Sequence, residues 1–261
     1  MLLRFAYDDN DGNEKGSYFL PSGALLLVDD KKKKIAYAAS FGTDQWEMTP
    51  SETEECACLA KMFDAISVRE ESGVSLCKQH LGVDAVHLLD PTMLLDVEDY
   101  IKLFNESGVP KSSGNLLCYV LDKNPEVDNI INILEEDGFT PLYANLDTTP
   151  TTENPRPVQL TIEEWLRGFY DADFVVTDSF HACVFAILFN KPFVVYGNVD
   201  RGMSRVQSLL KMFNLNGRFV LSTDEFIANK DRIVGLSNAM LNDILNSLRE
   251  DSFAFIADIG L

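Results

Sequence analysis

The residues of this chain that could do acid–base or anion chemistry are few, and most of them follow short apolar runs. His181 closes the segment Thr177-Asp178-Ser179-Phe180-His181, directly after the apolar run Phe174-Val175-Val176. An imidazole at such a place can act as general acid or base, or donate to an anion. If a helix opens there, its first-turn amides lack internal partners and carry partial positive charge, so a phosphate or carboxylate could dock on them. The same positive end favours a neutral imidazole at rest. A plainer reading stays open: Asp178 or Ser179 caps the helix, and His181 is a structural histidine.

Arg69 ends another apolar run, Ala65-Ile66-Ser67-Val68. A guanidinium there suits bidentate anion binding, and equally an ion pair with Glu70 or Glu71. Arg201 and Arg205 flank a glycine-containing turn that begins Gly197-Asn198. Two cations there suggest an anionic ligand, or a solvated pair at the next helix start. Asp90, in Asp90-Pro91-Thr92, could bind a sugar hydroxyl or simply shape a turn. His80 and His87 have no metal-ligand spacing with His181. The five cysteines include Cys56-Ala57-Cys58 but no cluster that completes a zinc site. No Walker A, GxGxxG, GxSxG or HExxH pattern occurs.

These residues need a scaffold, and the sequence supplies one. With 261 residues, 46% hydrophobic and 24% charged, the chain can bury a sizeable core. Its net charge of −19 repels phosphate backbones, so nucleic acid is not expected as a partner. It also makes each cation near a strand end informative. No secretory leader and no membrane span are expected, and the odd, dispersed cysteines suit a reducing cytoplasm.

Apolar runs alternate with helical stretches along most of the chain. Runs at 35–41, 65–69 and 85–89 read as strands, separated by helices opening at Thr49-Pro50-Ser51-Glu52 and over 71–81. Residues 97–105 read as a helix. After a polar linker at 110–114 the pattern repeats. Strands are expected at 116–121, 140–144, 173–177, 192–196 and 218–221. Helices are expected at 126–137, from the capping-box start Thr161-Ile162-Glu163-Glu164 to Tyr170, and at 181–189 and 204–213. A helical tail follows over 224–255. Nearly all-apolar strands alternating with helices mean α/β architecture with parallel sheets. The reading is two Rossmann-like halves facing a cleft, a domain at 1–110 and a second at 111–261 with the helical tail.

Five blocks then carry a resemblance: Ala36 to Gly42 (AYAASFG), Ile66 to Gly73 (ISVREESG), Leu89 to Thr92 (LDPT), Val176 to His181 (VTDSFH) and Lys191 to Arg205 (KPFVVYGNVDRGMSR). In this order and spacing they resemble the polysaccharide pyruvyl transferase family. The resemblance implies a glycosyltransferase-B-like fold, of which the N-terminal half is expected to be truncated. It implies transfer of a pyruvyl group from phosphoenolpyruvate to hydroxyls of a cell-surface polysaccharide or its precursor, with no further cofactor and no metal. By resemblance His181 matches the family's histidine, and Arg69 matches the arginine of its serine-valine-arginine block. Where the family has an arginine two residues before the histidine, this chain has Ser179, so Arg201 or Arg205 is expected to supply that charge. Donor binding is thus expected of Arg69, Asp178, Ser179, Asn198, Arg201 and Arg205, and acceptor binding of Asp90. The partners expected are phosphoenolpyruvate and a saccharide, with room for a homo-oligomer. Two other readings remain: a nucleotide-sugar glycosyltransferase of the same architecture, or a non-catalytic homologue that binds sugars.

Overall fold

The computed structural model describes residues 34–144, 159–197, 203–235 and 240–259, together with the backbone of strands β1 (Leu3–Asp8), β2 (Glu14–Leu20) and β3 (Ser22–Ala24). It is an α/β protein with two compact units. One comprises Met1–Leu94, Val199–Leu209 and Asn246–Leu261; the other comprises Leu95–Asn198 and Leu210–Leu245.

The first unit holds the antiparallel pair β1–β2 and a four-stranded sheet ordered β3, β4 (Ile35–Ser40), β5 (Ala65–Val68) and β6 (Val86–His87). β4, β5 and β6 are parallel, and β3 is antiparallel to β4. Helix α1 (Pro50–Ala60) begins where the sequence predicts. Thr49 accepts from the Glu52 amide while Glu52 reaches back to Thr49, and Pro50 takes the first helical position. The helix expected over 71–81 is α2 (Glu71–Leu76) continued by a π-helical turn, Cys77–Leu81. Gly82 closes that turn at φ 65°, a left-handed conformation that glycine adopts without steric cost.

The second unit is a five-stranded, all-parallel sheet ordered β11 (Phe219–Val220), β10 (Phe193–Tyr196), β9 (Phe174–Thr177), β7 (Leu116–Tyr119) and β8 (Pro141–Tyr143). Buried on both faces, its central strands can be apolar throughout: all four residues of β9 are buried. One face packs mainly on aliphatic side chains. There Leu116, Cys118, Phe174 and Val176 meet Val127, Ile130, Ile131 and Leu134 of α4 (Pro125–Glu136), and Phe226 and Ile233 of α8 (Thr223–Val234). The other face is aromatic, formed by α3 (Val97–Ser107), α5 (Ile162–Asp171) and α6 (Phe180–Leu188). On it Phe169 and Phe185 have ring centroids 6.0 Å apart, and Phe104 and Tyr170 5.4 Å. Each such side chain, once buried, contributes about 1.5–3 kcal/mol. Gly168 lets α5 lie close to the sheet, since a Cβ there would stand 3.0 Å from the Leu117 side chain.

The compact units divide the chain differently from the two segments read in the sequence. The first break falls after Leu94, not near residue 110, because α3 packs on α5 through Phe104 and Tyr170. The tail also splits. α8 belongs to the second unit, whereas most of α9 (Leu241–Asp258) returns to the first, where Arg249 Nε donates to the Met93 carbonyl at 2.7 Å.

Candidate functional site

The strand order of the second unit points to one place. The chain runs from β7 outward to β8, then returns to β9 on the opposite side of β7. In an open parallel sheet, the crevice outside the strands' C-terminal ends at such a reversal is where ligands bind. The two strand ends flanking it are Tyr119 and Thr177. Thr177 Oγ1 donates to the Tyr119 carbonyl at 2.6 Å and accepts from the Ser179 amide at 2.9 Å. The two carboxylate oxygens of Asp178 accept from the amides of Leu121 at 2.7 Å and Asp122 at 3.0 Å. Burial pushes the Asp178 carboxyl above its ordinary range, and those two amides pull part of the way back. Asp178 is therefore committed to holding the loop after β7. Ser179, expected with it as a donor ligand, is 6% exposed and is the residue before α6, with no side-chain cap bond.

α6 explains why His181 stands out. Eight of its nine residues are buried, as a helix that is apolar all round must be. His181 is the exception: it is exposed, in the first turn, against the Phe180 ring with centroids 5.3 Å apart. It also lines a cavity of about 560 Å³ whose walls include Tyr100, Tyr119, Trp165 and Phe185. Those rings brace one another edge to face. Centroids are 5.1 Å apart for Tyr100–Phe185, 5.4 Å for Tyr119–Trp165 and 4.9 Å for Trp165–Phe185. The Trp165 indole N–H is buried and meets no acceptor among the described residues.

The first unit gathers the charged residues. Arg69, just beyond β5, continues the sheet by donating its amide to Ala39 at 3.0 Å. Its guanidinium pairs with Asp90 at 2.7 Å. Asp90 also accepts from the Thr92 amide at 3.0 Å and the Thr92 hydroxyl at 2.7 Å. Burial alone would raise the Asp90 carboxyl, but the bonds from Thr92 and Arg69 outweigh it and hold it below its ordinary value. The sugar-hydroxyl role expected of Asp90 does not fit this placement. Both its oxygens are occupied and its side chain is 1% exposed, so it positions Arg69 instead.

Glu70 is the residue that sequence reasoning undervalued. It is fully buried, and Oε1 accepts from the Ser40 hydroxyl and the Gly42 amide. Burial raises its carboxyl, while those bonds and the charges of Arg69 and Arg205 oppose the rise. Arg205, in the first turn of α7 (Ser204–Met212), thus acts on the same carboxylate as Arg69. The Glu71 amide also donates to Ser208 of α7 at 3.1 Å. Two of the expected anion ligands therefore share one neighbourhood. Asn198 and Arg201 lie outside the described residues. His87 Nε2 is 3.1 Å from the Arg69 carbonyl, and His80 stacks on Trp46 at 4.5 Å. Among the described residues, no group of three His, Cys, Asp or Glu side chains is placed to hold a metal, and no helix is long and apolar enough to cross a membrane.

Among solved structures, the chain is similar to the wall teichoic acid polymerase TagF. The identity is 12% over 90% of this chain and 71% of that one, with a TM-score of 0.48. It is also similar to the glycotransferase of kitacinnamycin (12% identity, 78% of this chain, 58% of that one, TM-score 0.40). A third likeness is to the N-terminal domain of Candida albicans trehalose-6-phosphate phosphatase (15% identity, 79% and 62%, TM-score 0.37). At these values the likenesses carry no argument of their own. No curated protein matches the chain. The family model for polysaccharide pyruvyl transferase, in contrast, matches residues 7–201. That span contains both Arg69 with its Asp90 partner and the strand-to-helix turn that presents His181, and on it the chain belongs to the polysaccharide pyruvyl transferase family.

Proposed function

We propose that this protein transfers a pyruvyl group from phosphoenolpyruvate to two hydroxyls of a saccharide, leaving a cyclic ketal, with His181 as the proton donor. The observation that carries the reading is the setting of His181. It is the one exposed residue of a buried helix, at the reversal of a parallel sheet, in a member of a transferase family that acts on polysaccharides.

The chemistry balances as follows. One proton goes to the methylene carbon of phosphoenolpyruvate and makes it a methyl group. The adjacent carbon becomes electron-poor, and an acceptor hydroxyl adds to it and loses its proton. The bond from that carbon to the phosphate oxygen then breaks, releasing inorganic phosphate. The second hydroxyl closes the ketal and loses its own proton. Two protons leave the acceptor; one balances the methyl group and the other leaves with phosphate. An imidazole can deliver the first proton and take one back from a hydroxyl, a contribution of about 10²–10⁴-fold in rate for positioned acid–base catalysis. In the first unit, Arg69 and Arg205 are guanidiniums suited to carboxylate and phosphate groups. Asp90 and His87 fix Arg69 in place, and Glu70 balances the two positive charges while the donor is absent.

Thermal unfolding of the purified chain tests the reading. Phosphoenolpyruvate should raise the midpoint in a saturable way, and Arg69→Ala should abolish the rise. Nucleotide sugars should leave the midpoint unchanged. A rise with a nucleotide sugar and none with phosphoenolpyruvate would replace pyruvyl transfer by glycosyl transfer.

A further inference from the structure

We infer that the aromatic cavity beside His181 is the ring subsite for the acceptor, taking a neutral sugar by its apolar face; the choice of a saccharide rests on the pyruvyl-transfer reading above. The first ground is charge. The cavity walls carry no Lys, Arg, Asp or Glu among the described residues. In a chain of net charge −19, an anion placed there would meet no lysine or arginine among the described lining residues. The phosphates of a nucleotide diphosphate are poorly suited to the aromatic part of such walls, whereas an uncharged ring is well suited to it.

The second ground is shape. The volume of about 560 Å³ lies within the range of roughly 300–1,000 Å³ that holds small ligands. Tyr119, Trp165 and Phe185 are locked edge to face, so their faces are set before a ligand arrives. A pyranose offers a matching face of C–H groups, and its hydroxyls need polar partners around the edge. Gln159, Thr161 and His181 supply amide, hydroxyl and imidazole groups in the same lining. The third ground is position. Because His181 belongs to the wall, a ring held on the aromatic faces puts its hydroxyls within the reach of the proposed acid–base group.

The test is a titration without phosphoenolpyruvate, so that binding is read apart from the reaction. The chain has two tryptophans, and in Trp46→Phe the emission reports Trp165 alone. Methyl glycosides of glucose, galactose, mannose and N-acetylglucosamine, with lactose and cellobiose, should include at least one that gives a saturable change. Glucuronic acid and uridine should bind at least tenfold more weakly. Two exposed lining positions carry the control substitutions. Ile162 is 69% exposed and opens α5, where an acid suits the helix end, and Leu103 is 43% exposed. Ile162→Glu and Leu103→Arg should each weaken saccharide binding at least tenfold with an unchanged circular dichroism spectrum. No saturable response to any neutral saccharide, tighter binding of uridine, or binding indifferent to both substitutions would overturn the inference. The two claims fail separately. Phosphate release from phosphoenolpyruvate with a silent cavity sinks the subsite alone, and a cavity that binds sugar without such release sinks pyruvyl transfer alone.

Discussion

The two larger sheets present opposite kinds of chemistry beyond their parallel strands. In the first unit they carry charges: the buried carboxylates Glu70 and Asp90 and the half-buried guanidiniums Arg69 and Arg205. In the second they carry rings and one imidazole: Tyr119, Trp165, Phe185 and His181. The difference teaches where each region is vulnerable. A set of buried charges holds only while every member keeps its partners, because desolvation is repaid by pairing. An aromatic wall rests on area and shape, so single changes cost less and act on what it admits. An anion suits the first kind of surface, and a neutral ring suits the second.

The largest effect is expected at the imidazole. His181→Ala should lower phosphate release from phosphoenolpyruvate by about 10²–10⁴-fold. Its unfolding free energy should stay within about 0.5 kcal/mol of the parent, because the side chain is exposed. A steady-state assay beside a urea titration measures both. Should stability fall as much as activity, the contrast between a structural and a chemical role for this residue would collapse.

Next comes the charge set. Asp90→Ala removes the 2.7 Å partner of Arg69 and should cost about 3–5 kcal/mol in chemical denaturation. Replacing both residues with apolar ones of similar size should cost less than the single change, since no buried charge is then left behind. A double change that costs the sum of the two singles would show that the pair does not act as a unit.

The pH dependence sharpens the same contrast. Asp90 is held below its ordinary 3.8, so its stabilisation is present above that value and is lost as pH falls through the lower, folded value. Glu70 is raised above its ordinary 4.5. Its contribution is full below 4.5 and is lost as pH rises through the higher, folded value. Denaturation from acid to neutral pH should therefore show Asp90→Asn losing stability mainly at neutral pH. Glu70→Gln should flatten the decline on the neutral side. Identical profiles for both variants would contradict the opposite signs.

Smaller effects belong to packing and caps. Gly168→Ala drives a methyl group to 3.0 Å from the Leu117 side chain and should cost about 1–3 kcal/mol, with the aromatic face loosened. Thr49→Ala removes half of a capping box on α1, far in sequence from His181, and should cost about 1 kcal/mol without changing activity.

Much of this arrangement was legible in the sequence, and its gaps have physical causes. The strands at 35–40, 116–119, 174–177 and 193–196 were readable because parallel strands covered on both faces are mostly apolar, with Ser40 and Thr177 at their ends. Both capping boxes, at Thr49 and Thr161, announced their helices. The exposed place of His181 was readable from a strand that turns at once into an apolar helix. The partner of Arg69 was not, because Asp90 lies on another strand end and pairing across a sheet leaves no trace in local spacing. Glu70 read only as an ion-pair alternative for Arg69, because nothing beside it in sequence announces Ser40 or Gly42. The aromatic cavity was hidden for the same reason: Tyr119, Trp165 and Phe185 come from three different elements. Only the strand order, with β9 returning beside β7, brings them together. The division of the tail was equally unreadable, since α8 and α9 look alike as helices and differ only in which unit receives them.

The most direct measurement follows the carbon of the pyruvyl group. Phosphoenolpyruvate labelled with carbon-13 at its central carbon is incubated with the protein and a saccharide acceptor, and the products are read by NMR. Pyruvyl transfer predicts a labelled ketal carbon on the saccharide, one phosphate released for each ketal formed, and loss of both in His181→Ala. Phosphate released without a labelled saccharide, or an equal yield of ketal from His181→Ala, would contradict it.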